Sequence, residues 1–267
     1  MALGTTLLNR MADSLERAEA NRSPIEAISM MYPQMDLKDA YQIQWIGASR
    51  AVRAQRRLLG YKIGLTSRAA QKHFQVFEPD YGHLFDHMEL PVNAETPFNR
   101  LIQPMIEGEI AFVLGRDLKG PGIGVAEAIR AVDFATAAFE IIDSRIKDWK
   151  ITARDTIADN GSSALYMLSG TRRSIEGLDL AHLGMALWKN GEVVQSAAGA
   201  AVMDNPINAL VFLANHLASH DRGLLAGQVV LSGSLSGMIK MNRGEQYELE
   251  IKQLGRLSTY CQGEARS

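Results

Sequence analysis

Glu107 and Glu109 stand two residues apart inside an otherwise apolar run, Ile106-Glu107-Gly108-Glu109-Ile110-Ala111-Phe112-Val113-Leu114. Read with the period-two alternation of a strand, Ile106, Ile110, Phe112 and Leu114 share one face, and Glu107, Glu109, Ala111 and Val113 share the other. Backbone positions i and i+2 lie roughly 6 to 7 Å apart, so two glutamate side chains on one face can converge on a single cation. A strand whose polar face simply meets water is the alternative reading of an isolated Glu-x-Glu.

A third carboxylate, Glu140, sits in Phe134-Ala135-Thr136-Ala137-Ala138-Phe139-Glu140-Ile141-Ile142, with little polar company. An unpaired carboxylate buried in such a run is costly, so a lysine, an arginine or a metal must lie against it. Three inward carboxylates point to a hard divalent ion, Mg²⁺ or Mn²⁺, which takes oxygen ligands and keeps positions open for water or substrate. Zinc would ask for histidine or cysteine, and the six histidines (73, 83, 87, 182, 216 and 220) are scattered. His216 and His220 are four apart, but Pro206 to His220 reads as one amphipathic helix striped by Leu210, Phe212, Leu213 and Leu217, which makes them surface residues.

These groups need elements to hold them. Leu8, Met11 and Leu15 recur at helical spacing over residues 5 to 20, and Asp36 with Asp39 opens a longer helix that ends in the basic stretch Arg53 to Arg57. From Leu59 the texture changes to short β-rich runs at 60–65, 106–114, 136–143, 163–168, 183–188, 228–232 and 246–252, broken by Gly, Pro and Asn turns. Helical patterns return at Val125 to Val132 and Asn208 to His220. The expectation is an α+β chain: a mainly helical segment over 1–76, contributing Lys62 to the site, packed on a mixed β-rich catalytic core over 77–267.

Length and composition bound the rest. The 267 residues, 46% hydrophobic and 22% charged, suffice for a large buried core. A net charge of -2 without an extended basic block argues against nucleic acid as the main partner. No apolar stretch reaches the roughly 18 residues of a membrane span. The charged, amphipathic start lacks a signal-peptide core, and the single Cys261 suits a reducing compartment, so a cytoplasmic protein is expected.

Other residues offer chemistry. Lys62, in Leu59-Gly60-Tyr61-Lys62-Ile63-Gly64-Leu65-Thr66-Ser67, lies in a short apolar segment ahead of a good helix N-cap. Buried beside carboxylates it would neutralise them or move protons; as an edge residue it would protect a strand from pairing. Glu78-Pro79-Asp80-Tyr81-Gly82 has the composition of a turn. Arg145, in the polar passage after Asp143, can grip a substrate carboxylate with two hydrogen bonds or form a surface ion pair. Gly120-Pro121-Gly122-Ile123-Gly124 lacks the pattern of a phosphate loop, and Leu235 occupies the nucleophile place in Gly233-Ser234-Leu235-Ser236-Gly237, which excludes a serine-hydrolase elbow.

Five motifs follow one order: Lys62-Ile63-Gly64-Leu65-Thr66-Ser67, Glu78-Pro79-Asp80-Tyr81-Gly82, Ile106-Glu107-Gly108-Glu109, Glu140-Ile141-Ile142-Asp143-Ser144-Arg145 and Ala158-Asp159-Asn160. Together they resemble the 2-oxopent-4-enoate hydratase and 4-oxalocrotonate decarboxylase family, of the fumarylacetoacetase-like fold. The resemblance implies that Glu107, Glu109 and Glu140 carry Mg²⁺ or Mn²⁺, that Lys62 and Asp80 are the catalytic groups, and that Leu65, Arg145 and Ser162 contact substrate. It also implies a small 2-oxo acid substrate from aromatic breakdown by meta-cleavage, a homo-oligomer, and a complex with a neighbouring enzyme of that pathway. Met105 stands where the family often has arginine, and Met203-Asp204-Asn205-Pro206 replaces a more usual Leu-Gly-His-Pro.

The function expected on this basis is hydration of a 2-hydroxy-2,4-dienoate to a 4-hydroxy-2-oxo acid. The runner-up is decarboxylation of 2-oxohex-3-enedioate on the same scaffold, to which Ser162-Ser163 after Asp159-Asn160 bears a likeness. A third reading, a non-catalytic subunit supporting a partner enzyme, conflicts with an intact set of metal carboxylates and Lys62.

Overall fold

The computed structural model describes residues 3–263. Seven α-helices are present among them: α1 (Thr5–Asn21), α2 (Ile28–Met31), α3 (Leu37–Arg53), α4 (Arg68–Phe74), α5 (Val125–Ala131), α6 (Ala153–Ala158) and α7 (Ile207–Ala218). Twelve strands complete the framework: β1 (Leu58–Gly64), β2 (Asp80–Phe85), β3 (Glu89–Leu90), β4 (Met105–Leu114), β5 (Val132–Ile142), β6 (Ser163–Leu168), β7 (Gly184–Lys189), β8 (Glu192–Ala198), β9 (Val229–Ser234), β10 (Ile239–Lys240), β11 (Gln246–Ile251) and β12 (Gly255–Tyr260). No described helix is long and apolar enough to cross a membrane.

The α+β expectation holds. Asp36 and Asp39 form a reciprocal capping box at the start of α3, with the Asp36 side chain accepting from the Asp39 amide at 2.8 Å. Leu8, Met11 and Leu15 of α1 pack with Ile43 of α3 and with Ile146, Ile157 and Ala158, so the N-terminal helices are fastened to the core by their own apolar cluster. The larger sheet runs β2-β1-β9-β4-β5-β6-β3, mixing parallel and antiparallel pairs, with β10 added beside β4. The smaller sheet runs β12-β11-β7-β8.

Strand β4 packs its back against the smaller sheet. Its even face sends Ile106, Ile110, Phe112 and Leu114 into the main core, where Leu249 and Met185 of the smaller sheet are also buried. Gly108 is the low point of that face: a Cβ there would lie 2.7 Å from Leu249 Cδ1 and 2.8 Å from Met185 Sδ. The missing side chain lets the smaller sheet close directly behind the strand that carries both glutamates.

The larger sheet is curled, and the positions of two charges show it. Strands β1 and β5 are three places apart, roughly 14 Å across a flat sheet at about 4.8 Å per strand. Yet Lys62 of β1 meets Glu140 of β5 at 3.2 Å, so the sheet closes over its own concave face. The opposite side of β1 and β2 is sealed by Tyr61, Tyr81 and His83, against which Tyr41 of α3 and His216 of α7 pack. His83 is 1% exposed, and burial brings its imidazole down to about 4, so it is a neutral wall. His216 is half-buried in the same cluster, which corrects its assignment to the surface.

Two segments differ from the sequence reading. Asp80 does not sit in a turn; it begins β2, paired with Gly64, and all six residues of this strand are buried. The polar passage after Asp143 is not open loop either. It contains α6, where Asp155 accepts from Thr152, from the Ser29 amide at 2.8 Å and from the Ser29 hydroxyl at 2.6 Å. These polar residues are internal fasteners between the N-terminal segment and the core.

The parallel pairing of β1 with β9 depends on Gly60, whose added Cβ would land on the Val229 carbonyl oxygen. Gly60→Ala therefore has to push backbone away from backbone, and a loss of at least about 2 kcal/mol is expected in chemical denaturation. A stability change within about 0.5 kcal/mol, the range of ordinary surface substitutions, would show that this close approach does not hold the strands.

Candidate metal and substrate site

Alternation puts Glu107 and Glu109 on the concave face of β4, and the antiparallel register places Glu140 of β5 directly opposite Glu107. Like charges facing each other across a ladder oppose strand pairing. Three ligand oxygens, one from each glutamate, nevertheless lie within 4.8 Å of one another. Glu109 and Glu140 are fully buried and Glu107 half-buried.

The protein's own partners do not satisfy this cluster. One Glu109 oxygen accepts from the Gly233 amide at 2.7 Å, while the other has no hydrogen-bond donor. Both Glu140 oxygens also lack one: Lys62 Nζ stands at ion-pair distance from Oε2 but out of hydrogen-bond alignment. Burial pushes Glu107 up to about 7, with Glu140 adding to the rise and Lys62 opposing it. Glu109 is raised well above the carboxylate range by burial, then by Glu140 and Glu107. Converging oxygen donors with orphaned lone pairs fit a hard divalent cation, which would bind to Glu107, Glu109 and Glu140.

Lys62 is 4% exposed and lies on an interior strand, not on an edge. Burial alone would lower its pKa, but Glu140, Asp80, Glu107 and Glu109 outweigh that and hold the amine charged, above its ordinary value. Its aliphatic chain runs between Gly82 and Gly161, where added Cβ atoms would come within 3.3 and 3.1 Å of Lys62 Cδ. Gly161 also has φ +63, a conformation that side chains resist. Asp80, 2% exposed, keeps one oxygen without a partner. Burial raises its carboxyl, Lys62 pulls it down and Glu140 raises it again.

These groups line one cavity of about 410 Å³, to which Lys62, Asp80, Glu107, Leu65 and Ser162 all contribute. Arg145 stands apart from the other residues singled out in the sequence. It does not line this cavity, it is 5% exposed, and its guanidinium is committed to Asp159 and to the carbonyls of Asp143, Asp159 and Ser163. Burial pushes Asp159 up to about 6 against the pull of Arg145. This pair ties the end of β5 to the turn that carries Asn160, Gly161 and Ser162. It is a buried ion pair, neither the surface pair nor the substrate clamp that the sequence offered.

Sequence reasoning missed several lining residues: Thr66, Phe74, Trp149, Ser234 and Met238. One signal was present in Ser232-Gly233-Ser234, directly after a hydrophobic strand. It is not a nucleophile elbow, but its glycine amide is the donor to Glu109, and the Ser234 hydroxyl, which donates to the Ser236 carbonyl at 2.7 Å, lowers the Glu107 carboxyl.

Comparisons with known proteins relate the whole chain to one family. Residues 88–261 match the family model described as fumarylacetoacetate (FAA) hydrolase C-terminal. The chain is 42% identical over 248 residues to 2-keto-4-pentenoate hydratase of Paraburkholderia xenovorans (strain LB400), covering 93% of this chain and 92% of that one. It is 36% identical over 248 residues to 4-oxalocrotonate decarboxylase of Pseudomonas putida, covering 93% and 94%. The solved 4-oxalocrotonate decarboxylase from Pseudomonas putida G7, complexed with magnesium and adipate, superposes with a TM-score of 0.95 at 33% identity, over 97% of this chain and 99% of that chain. A buried tri-carboxylate cluster on a curled mixed sheet, matched along nearly the whole chain, places the protein in the fumarylacetoacetate hydrolase family, within its 2-keto-4-pentenoate hydratase and 4-oxalocrotonate decarboxylase branch.

Proposed function

We propose that the protein is a hydratase that adds water to a 2-hydroxy-2,4-dienoate and releases a 4-hydroxy-2-oxo acid, with Mg²⁺ or Mn²⁺ at Glu107, Glu109 and Glu140. The observation that carries this reading is the convergence of three carboxylates, two of them with unpartnered oxygens, on a charged buried lysine and a buried carboxyl with a free oxygen, at a cavity lined by Glu107, Lys62 and Asp80. Relatives named as hydratases reach 42% identity, against 36% for the decarboxylase, which favours hydration. A divalent cation bound there supplies Lewis acidity toward the C1 carboxylate and C2 oxygen of the substrate.

The chain's own residues do the rest. The 2-hydroxyl loses its proton and C5 gains one, which gives the conjugated 2-oxo-3-enoate; water then adds its oxygen at C4 and a proton at C3. Lys62 Nζ, held charged, stabilises the negative charge that spreads from the C2 oxygen during both steps, and holds or returns a proton there. Asp80, with its unpartnered oxygen, orients the water and takes its proton as the C4–O bond forms. Leu65 and Ser162 border the substrate, while Arg145 acts only by holding the turn that bears Ser162.

The direct test supplies purified protein and Mg²⁺ with 2-hydroxypenta-2,4-dienoate and, separately, with 2-oxohex-3-enedioate, following loss of ultraviolet absorbance and release of CO₂. Hydration of the first is expected. Release of CO₂ from the second with no hydration of the first would make the protein a decarboxylase instead, the reading that the match to the decarboxylase structure supports.

Lys62→Met should lower kcat by about 10²- to 10⁴-fold, the usual worth of a positioned acid–base group, while Mg²⁺ affinity by calorimetry stays within about tenfold. Equal losses in both would remove the lysine from the chemistry. The metal cluster also sets a pH dependence. A carboxyl raised from 4.5 to about 7 makes the folded, metal-free protein bind more protons than the unfolded chain between those values, so stability falls as pH rises through that window. The melting temperature of chelator-treated protein is expected to drop from pH 5 to pH 8, and added Mg²⁺ to stabilise more at pH 8 than at pH 6, because the ion must displace protons at the lower pH. Because buried His83, held down to about 4, contributes stability that grows with pH up to 6.5, the drop is read against Glu107→Gln, and a wild-type drop no larger than the variant's would contradict the burial of Glu107.

A further inference from the structure

The charge balance of the cavity says what the far end of the substrate is. Four carboxyls, Asp80, Glu107, Glu109 and Glu140, gather at this site, and the sole cation among the lining residues is Lys62, already against Glu140. Lys62 and one divalent ion do not outweigh four ionised carboxylates, so the cavity has no surplus positive charge for a second substrate carboxylate. Cations on the neighbouring segments are directed elsewhere. Arg68 of α4 faces Asp204 with its side chain 91% exposed, and Lys150 faces Asp148 with its side chain 73% exposed.

The remaining lining includes an apolar set, Leu65, Phe74, Ile142, Trp149, Ile151 and Met238. Trp149 is placed there at a cost. It and Asp148 are successive non-glycine residues at φ 55 and φ 56, a left-handed pair that bulky side chains resist. Its indole nitrogen donates to the Gln103 carbonyl at 3.0 Å, and Gln103 is itself fixed by its amide to Asp143 and by its side chain to the Ser144 and Ile146 carbonyls. The one polar atom of the indole is thus turned into the protein, and the cavity meets hydrocarbon.

Building on the proposed hydratase reading, we infer that this site takes 2-hydroxy-2,4-dienoates whose far end is an uncharged alkyl or aryl group. Trp149 forms the wall of that subsite, and diacids are turned away. A carboxylate brought against this apolar set would be desolvated with no cation facing it, whereas an alkyl or aryl group buries apolar surface against the indole.

The test uses binding as well as turnover. Mg²⁺-loaded protein is titrated calorimetrically with pyruvate, 2-oxohexanoate and 2-oxoadipate, and kcat/KM is measured for 2-hydroxyhexa-2,4-dienoate and 2-hydroxyhepta-2,4-diene-1,7-dioate. In both assays the diacid is expected to be weaker by about 100-fold, the cost of burying an unpaired charge. Trp149→Ala should remove most of the advantage of 2-oxohexanoate over pyruvate, Trp149→Phe should keep it, and Arg68→Ala should leave the diacid discrimination unchanged. A diacid within about threefold of the monoacid, less than one apolar methylene is worth, or equal weakening of pyruvate and 2-oxohexanoate by Trp149→Ala, overturns the subsite. Turnover of neither dienoate, with the binding order intact, would instead strike the hydratase reading alone.

Discussion

Repulsion among three carboxylates is the constraint around which this molecule is arranged. Glu107 and Glu140 face each other across one antiparallel pair, and Glu109 follows on the same face. Nothing in local pairing rewards that placement. It persists because β4 and β5 are held from their other face by a large apolar core, which outweighs what the concave face costs. The single buried lysine offsets part of the charge and leaves the remaining lone pairs directed at a common point. The site is thus kept under electrostatic tension that a divalent cation would relieve.

The architecture follows from that tension. A lysine on β1 can meet a glutamate on β5 only if the sheet curls, and the curl makes the cavity. Glycines at 82 and 161 clear a channel for the lysine stem, and an aromatic layer with neutral His83 insulates the reverse of the strand that bears it. Arg145 and Asp159 serve the site from outside, spending a buried ion pair to fix one turn.

Much of this was legible in the residues. Period-two alternation put Glu107 and Glu109 on one face, the apolar surroundings of Glu140 demanded a counter-charge, and Asp36 with Asp39 marked the start of α3. The strand Asp80–Phe85 was not legible, because Glu-Pro-Asp-Tyr-Gly has turn composition and Asp80 is buried by tertiary contacts that no local pattern reports. Arg145 was misread for a related reason: a guanidinium satisfied by carbonyls from distant segments looks the same in sequence as one awaiting a ligand. Trp149 was hidden by its polar neighbours, since its left-handed backbone is imposed by the anchor at Gln103 rather than by residue type.

Gly108 carries a consequence beyond packing. With no side chain between the two glutamates, Leu249 and Met185 of the smaller sheet press directly on the back of the strand, so they act as a mechanical backstop for it. The spacing of the two glutamates that would hold an ion is thus backed by hydrocarbon bulk on the far side of the sheet. Substitutions among the apolar residues of β7 and β11 would therefore shift the glutamates while touching neither carboxylate, so the geometry of any ion held there would depend on residues that never meet it.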